Sequence, residues 1–159
     1  MAPKIALVTG ASRGLGKDMA LNLAKKGLDV ILTYNTNKIE AEKVVSEIVQ
    51  MKRKAVALQV DMANIKSLDS FIGQIASALK SNWNADKFDF LINNAGTGAT
   101  IPISQVTEEA FDNLLNIHYK GVYFLTHKAI PIINDHGGVI FISSGTTVFV
   151  FLVILFILQ

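Results

Sequence analysis

Thr9-Gly10-Ala11-Ser12-Arg13-Gly14-Leu15-Gly16 follows the apolar run Ile5-Ala6-Leu7-Val8 and precedes a helical pattern from Leu15 to Lys26. Strand, glycine-rich turn and helix is the layout that brings a pyrophosphate onto a helix N-terminus. There, unpaired backbone N–H groups and the positive end of the helix dipole meet negative charge. Each glycine has its own reason. Gly10 makes the tight turn, Gly14 permits close approach of a ligand, and Gly16 lets the helix pack closely on the sheet. The position of this motif, at the first strand–helix junction, matters more than the three-glycine match itself.

The 159 residues suggest one domain. Half are hydrophobic and 18% are charged, enough to build a sizeable core and to exclude disorder through most of the chain. The formal net charge is +2 and no long basic run occurs, so there is no electrostatic case for a nucleic-acid partner. The absence of cysteine excludes disulfides and thiolate zinc sites and fits a cytoplasmic location. Met1-Ala2-Pro3-Lys4 leads straight into the first strand and does not read as a signal peptide.

Strand and helix patterns then alternate. Strands are expected at 4–9, 29–34, 54–60, 88–93 and 138–143. The first, fourth and fifth are apolar throughout, as parallel strands covered on both faces should be. Helices are expected at 15–26, 38–52, 64–81 and 107–134. Leu15, Met19 and Leu23 mark the first, with Ala20 and Ala24 beside them and Gly27 at the C-cap. Ile65, Leu68, Ile72, Ile75 and Leu79 stripe the third. Thr107-Glu108-Glu109-Ala110 starts the fourth. Repeated βα units argue for an α/β fold, a Rossmann-type doubly wound parallel sheet of about five strands. Residues 148–158 are eleven uninterrupted apolar residues. That is too short for a membrane helix of about 20 residues, so membrane insertion is not expected. Its composition is that of an aggregation-prone segment.

Asn93-Asn94-Ala95-Gly96 follows the fourth strand, where a ligand lying across the strand ends would pass. Asp61 ends the third strand and can accept from an adenine amino group. Two plainer readings stay open: a turn at Asn-Ala-Gly, and Asp61 as a helix N-cap. Taken in order and spacing, Thr9–Gly16, Asp61, Asn93–Gly96, Asn116 and Ile142-Ser143-Ser144 resemble the short-chain dehydrogenase/reductase family over residues 3–147. The branch containing 3-oxoacyl-carrier-protein reductases is the most similar. The resemblance implies a nicotinamide cofactor and hydride transfer between it and an alcohol or carbonyl carbon of a small molecule. It also implies that Gly10, Ser12, Arg13, Gly14, Leu15 and Gly16 hold the cofactor phosphates and adenosine ribose. Asp61 and Met62 would flank the adenine, and Asn94, Ala95 and Gly96 would line the path to the nicotinamide ribose. Asn116 would be the active-site asparagine that positions a water, and Ser144 the serine that hydrogen-bonds the substrate oxygen, with Ser143 its neighbour.

An acidic residue at the end of the second strand would hydrogen-bond the ribose hydroxyls of NAD. Here that end reads Thr33-Tyr34-Asn35-Thr36, with no carboxylate. Arg13 can pair with a 2′-phosphate, helped by neutral donors such as Asn35. The expectation is a preference for NADP(H) over NAD(H).

The sequence also departs from the family it resembles. The family's proton donor is a tyrosine about thirteen residues after the serine, followed four residues later by a lysine. Here Ile157 stands at that spacing, no tyrosine follows Tyr123 and no lysine follows Lys128. The family's last two strands and substrate loop are likewise missing, which puts the family's usual homo-oligomer in doubt. Residues 1–147 read as an incomplete Rossmann domain and 148–159 as an unrelated apolar tail, the product of a frameshift in the coding DNA. Isoleucine codons begin AT and phenylalanine codons end in T or C. A frame shifted back by one base therefore encodes Tyr or His at position 157. The expected product is an inactive fragment of an oxidoreductase. Other readings are a non-catalytic nucleotide-binding module, a protein docked to a membrane or partner through its tail, and a fragment that does not fold stably. His118, His127 and His136 are nine apart and do not form a metal site. Phe111, Tyr119, Tyr123 and Phe124 are expected to be core or helix-packing aromatics.

Overall fold

The structure is a computed structural model that describes residues 3–143 and 153–156. Strands β1 (Ile5–Val8), β2 (Asp29–Tyr34), β3 (Ala55–Gln59), β4 (Phe88–Asn93) and β6 (Ile133–Phe141) form one parallel sheet in the order β3-β2-β1-β4-β6. Helices α1 (Gly14–Lys25), α2 (Lys38–Gln50), α3 (Leu68–Trp83), α4 (Glu108–Leu115) and α5 (Val122–Ala129) connect them. This is the Rossmann-type α/β fold expected from the alternating pattern.

The period of two along β1 builds the two sides of the core. Ile5 and Leu7 join Ile31, Phe71, Ile75, Leu79, Phe88 and Leu125, on the face covered by α3 and α5. Ala6 and Val8 join Val30, Leu32, Ala20, Ala24, Val44 and Ile48, on the face covered by α1 and α2. Every residue of β1 and β2 is buried, so these strands could not alternate polar with apolar. The buried Asp29 is the charged exception, and it is paired: it accepts from the Lys54 N–H (2.9 Å) and the Trp83 indole N–H (2.8 Å). Gly27, at φ +93°, ends α1 in a Schellman turn: its own N–H reaches the Ala24 carbonyl and the Leu28 N–H reaches that of Leu23.

Four expectations need correction. First, 107–134 is not one helix. Thr107 does cap its start, accepting from the Ala110 N–H at 3.1 Å. The helix then widens into a π turn at Asn116–Gly121, resumes as α5, and ends in a 3₁₀ turn at Ile130–Ile132. Pro131 sits in that turn, lacks an N–H and disfavours helical geometry before it. The last strand consequently begins at Ile133 rather than 138. Second, α1 fully buries Gly16, Ala20 and Ala24, while Met19 and Leu23 pack partly buried against the core and Leu15 is exposed, because small residues bring the helix closer to the sheet. Third, Phe111, Tyr119, Tyr123 and Phe124 are exposed. Tyr123 packs edge-on to Phe124 and stacks on His127 instead. Fourth, two short strands were not foreseen: β5 (Ala99–Pro102) pairs antiparallel with β7 (Val153–Phe156), which lies within the apolar tail.

Among the described residues no helix is long and apolar enough to cross a membrane. Strand β6 is one of the two edge strands of the main sheet, opposite β3, and its Ile140 and Phe141 are exposed.

Candidate functional site

The chain leaves β3 at one edge of the sheet, returns through α3, and enters β4 beside β1. The strand order reverses there, and the turns after β1 and β4 diverge to leave a crevice at the carboxyl ends of the strands. A cleft of about 810 Å³ occupies this place, within the roughly 300–1,000 Å³ of small-molecule and cofactor sites. It is lined by Gly10, Ser12, Arg13, Gly14, Leu15 and Gly16 from the turn into α1, Asn35 after β2, Asp61 and Met62 after β3, and Asn94, Ala95 and Gly96 after β4. Every cleft residue singled out from the sequence is therefore brought together.

Thr9 holds the two central turns in place. It is fully buried, and its Oγ1 accepts from the Asn94 and Ala95 N–H groups, both at 2.9 Å. The Asn94 side-chain amide donates back to the Thr9 carbonyl (2.9 Å) and the Gly10 carbonyl (3.3 Å). Thr33 does the same from β2: its Oγ1 accepts from the Gly10 N–H and its carbonyl from the Ala11 N–H. Gly10 and Gly16 fit because they have no side chain. A Cβ on Gly10 would lie 2.7 Å from the Ala95 Cα, and one on Gly16 would lie 2.4 Å from both the Asn94 Nδ2 and the Gly10 carbonyl oxygen. Gly14 differs, since a Cβ there meets open space. Its backbone, at φ +55°, fronts the cleft.

The site suits an anion. The N-terminus of α1 opens onto the cleft with no side-chain cap and no acidic residue in its first turn. Arg13 stands exposed at the same turn. The residues after β2 that line the cleft, Asn35, Thr36 and Asn37, are neutral. Asp61 is not the N-cap of α3. It accepts from the Ala63 N–H at 2.9 Å and so shapes the turn at the cleft edge. The Asn94 Oδ1 is buried with no hydrogen-bond partner among the described residues.

Of the catalytic pair expected from the sequence, Asn116 falls within the described residues. Asn116 begins the π turn and lines a separate shallow hollow with Thr107, Glu108, Glu109, Asp112 and Asn113. The residue of that turn on the cleft is Ile117. Ser144 lies outside the described residues. Two participants escaped the sequence reading. Gly121 presses on the cleft floor, where a Cβ would lie 2.2 Å from the Met62 carbonyl oxygen; a glycine inside a helical pattern is the signal that marks it. His118 places Nε2 2.8 Å from the Thr97 carbonyl oxygen, and Thr97 lines the cleft. Among the described residues no cluster of His, Cys, Asp or Glu is arranged to hold a metal.

Burial pushes the His118 pKa below the usual imidazole value, only partly opposed by the Thr97 hydrogen bond. The folded chain therefore binds this proton less readily than the unfolded chain. Stability is fully present above the unfolded value of roughly pH 6.5 and is lost as pH falls through the lower folded value. Melting temperatures recorded between pH 8 and pH 5 should fall at the acid end, and fall less in His118→Gln.

A model of the short chain dehydrogenase family matches residues 4–153. This chain belongs to the short-chain dehydrogenase family. The hydroxynaphthalene reductase-like protein Arp2 of Metarhizium brunneum is 33% identical over 144 residues, which cover 91% of this chain and 52% of that protein. The short-chain dehydrogenase/reductase GME11373 of Pestalotiopsis microspora is 36% identical over 143 residues, 90% of this chain and 52% of that one. Among solved structures, the landomycin C-6 ketoreductase LanV with bound NADP and rabelomycin superposes with a TM-score of 0.87 at 33% identity, covering 91% of this chain and 59% of the other. This short-chain dehydrogenase chain spans about half the length of the curated relatives it matches.

Proposed function

We propose that this chain carries the NADP(H)-binding half of an oxidoreductase that acts on a small carbonyl or alcohol substrate. The observation that carries this reading is the cleft at the switch point. It has an uncapped helix N-terminus at its centre and Arg13 beside a β2 end without a carboxylate. LanV and a short chain dehydrogenase of Burkholderia cenocepacia, 30% identical with a TM-score of 0.83, were both solved with NADP and support the same cofactor.

The N–H groups at the start of α1 receive the pyrophosphate. The Arg13 guanidinium pairs with the 2′-phosphate, with Asn35 as a neutral donor beside it. Met62 and Asp61 bound the adenine, and Asn94, Ala95 and Gly96 bound the nicotinamide ribose. Bound NADPH supplies the hydride. Asn116 and Ser144 remain candidates for ordering water and substrate, on family resemblance alone. The general acid is not among the residues after Ser144, where Ile157 stands in place of the tyrosine. Loss of a general acid costs on the order of a hundredfold or more in rate. We therefore propose binding without appreciable turnover for these 159 residues, 1–147 forming the cofactor domain. A cytoplasmic setting is part of this proposal.

Fluorescence titration tests it. NADPH is expected to bind at least about tenfold tighter than NADH, the scale of one charge-assisted contact. Arg13→Ala should remove most of that difference by weakening NADPH alone. Tighter binding of NADH, or no binding of either, would overturn the reading.

A further inference from the structure

The wall of the cleft after β4 is held unevenly. Asn94 and Ala95 are pinned by Thr9. For the next three residues, Gly96–Gly98, the hydrogen bonds among the described residues run from Thr97 to the His118 ring. The shorter contact, 2.8 Å to the Thr97 carbonyl oxygen, calls for a proton on Nε2; the Thr97 N–H lies 3.3 Å from the same nitrogen. His118 reaches this wall because the π turn at Asn116–Gly121 carries it there, and Gly121 seats the turn against Met62. Its ring is half-buried, whereas His127 and His136 are exposed.

In sheet order, β1, β2 and β3 lie under one half of the cleft, while β4 lies beyond β1 under the other. A dinucleotide laid across the reversal places one nucleotide on each half. The adenosine half, with its 2′-phosphate, meets Arg13, Asn35 and Asp61. Thr97 belongs to the other half.

We propose that His118 is a positioning residue: its Nε2–H fixes Thr97, and thereby the wall against which the nicotinamide half of the cofactor rests. This rests on the reading of the cleft as an NADP(H) site. One neutral hydrogen bond sets the scale of the effect, about three- to tenfold in affinity.

The experiment compares NADPH with adenosine 2′,5′-bisphosphate, which carries only the adenosine half, on the whole chain. His118→Ala should weaken NADPH about three- to tenfold and leave the bisphosphate within about twofold. His118→Gln, whose amide nitrogen reaches about as far as the imidazole Nε2, should recover NADPH binding. Unchanged NADPH affinity in His118→Ala, an equal loss for both ligands, or no recovery in His118→Gln would overturn the proposal. If the wild-type chain binds neither ligand, the cofactor reading fails first. If it binds both and the variants do not separate them, only the role of His118 fails.

Discussion

Gly16→Ala is expected to remove cofactor binding and to lower the melting temperature by about 5–15 °C, at the few degrees per kcal/mol typical of a chain this size. The new methyl would sit 2.4 Å from two atoms at once, the Asn94 Nδ2 and the Gly10 carbonyl oxygen. Neither can yield cheaply. The carbonyl belongs to a turn fixed by Thr33, and the amide belongs to the bond that joins the turns after β1 and β4. Overpacking of this kind costs about 1–3 kcal/mol, and expelling the Asn94 amide from its buried carbonyl partners adds about 1–3 more. The loss bears on function because the displaced atoms are the cleft itself. Gly14→Ala provides the contrast. A Cβ there meets nothing within 4 Å, so its cost is the left-handed strain at φ +55°, about 1–2 kcal/mol. Thermal melts and NADPH titrations of the two variants decide the matter. A Gly16→Ala protein that melts with the wild type would show that the cradle is not closed around this glycine.

The sheet was legible because a parallel strand covered on both faces must carry an apolar run, as Ile5–Val8, Val30–Leu32 and Phe90–Ile92 do, and the glycine turn tells where β1 ends. The residues lining the cleft were legible for the same reason. They follow strand ends, and strand order puts those ends together. The segment from 107 to 141 was not. Its hydrophobic spacing continues through Asn116–Gly121, so periodicity cannot show that the backbone there winds one residue wider and turns His118 toward Thr97. The same limit hid the surroundings of Asn116, which lines a hollow beside Glu108 and Asp112 while Ile117 lines the cleft. Pro131 was the available signal for the early end of the helix, and the apolar residues around it outweighed that signal. The aromatic residues of α4 and α5 misled in the other direction. Size and spacing suggest a core, but the core on that face of the sheet is already filled by Leu125 and Ala129.

Thr9→Val separates the hydrogen bonds of the site from its packing. Valine has almost the shape of threonine and leaves no cavity, so the expected change comes from the lost oxygen. Thr9 Oγ1 is the acceptor for the Asn94 and Ala95 N–H groups, at a residue with no exposed surface. Both donors would be left unpaired in the interior, at about 1–3 kcal/mol each. The sum, about 2–6 kcal/mol, is a large share of the roughly 5–15 kcal/mol that holds a domain folded. The melting temperature should fall by about 5–15 °C, and NADPH should bind more weakly because the released N–H groups carry the wall of the cleft. Thr9→Ser tests the cause. It keeps the oxygen and loses one methyl, which costs about 0.5–1.5 kcal/mol, so it should melt well above Thr9→Val. The opposite order, with serine the more damaging change, would mean that packing rather than the paired N–H groups holds the β1 and β4 turns together. The order expected here would make Thr9 the acceptor on which both turns depend. Its effect should then not add fully to that of Gly16→Ala, since both substitutions release the same Asn94.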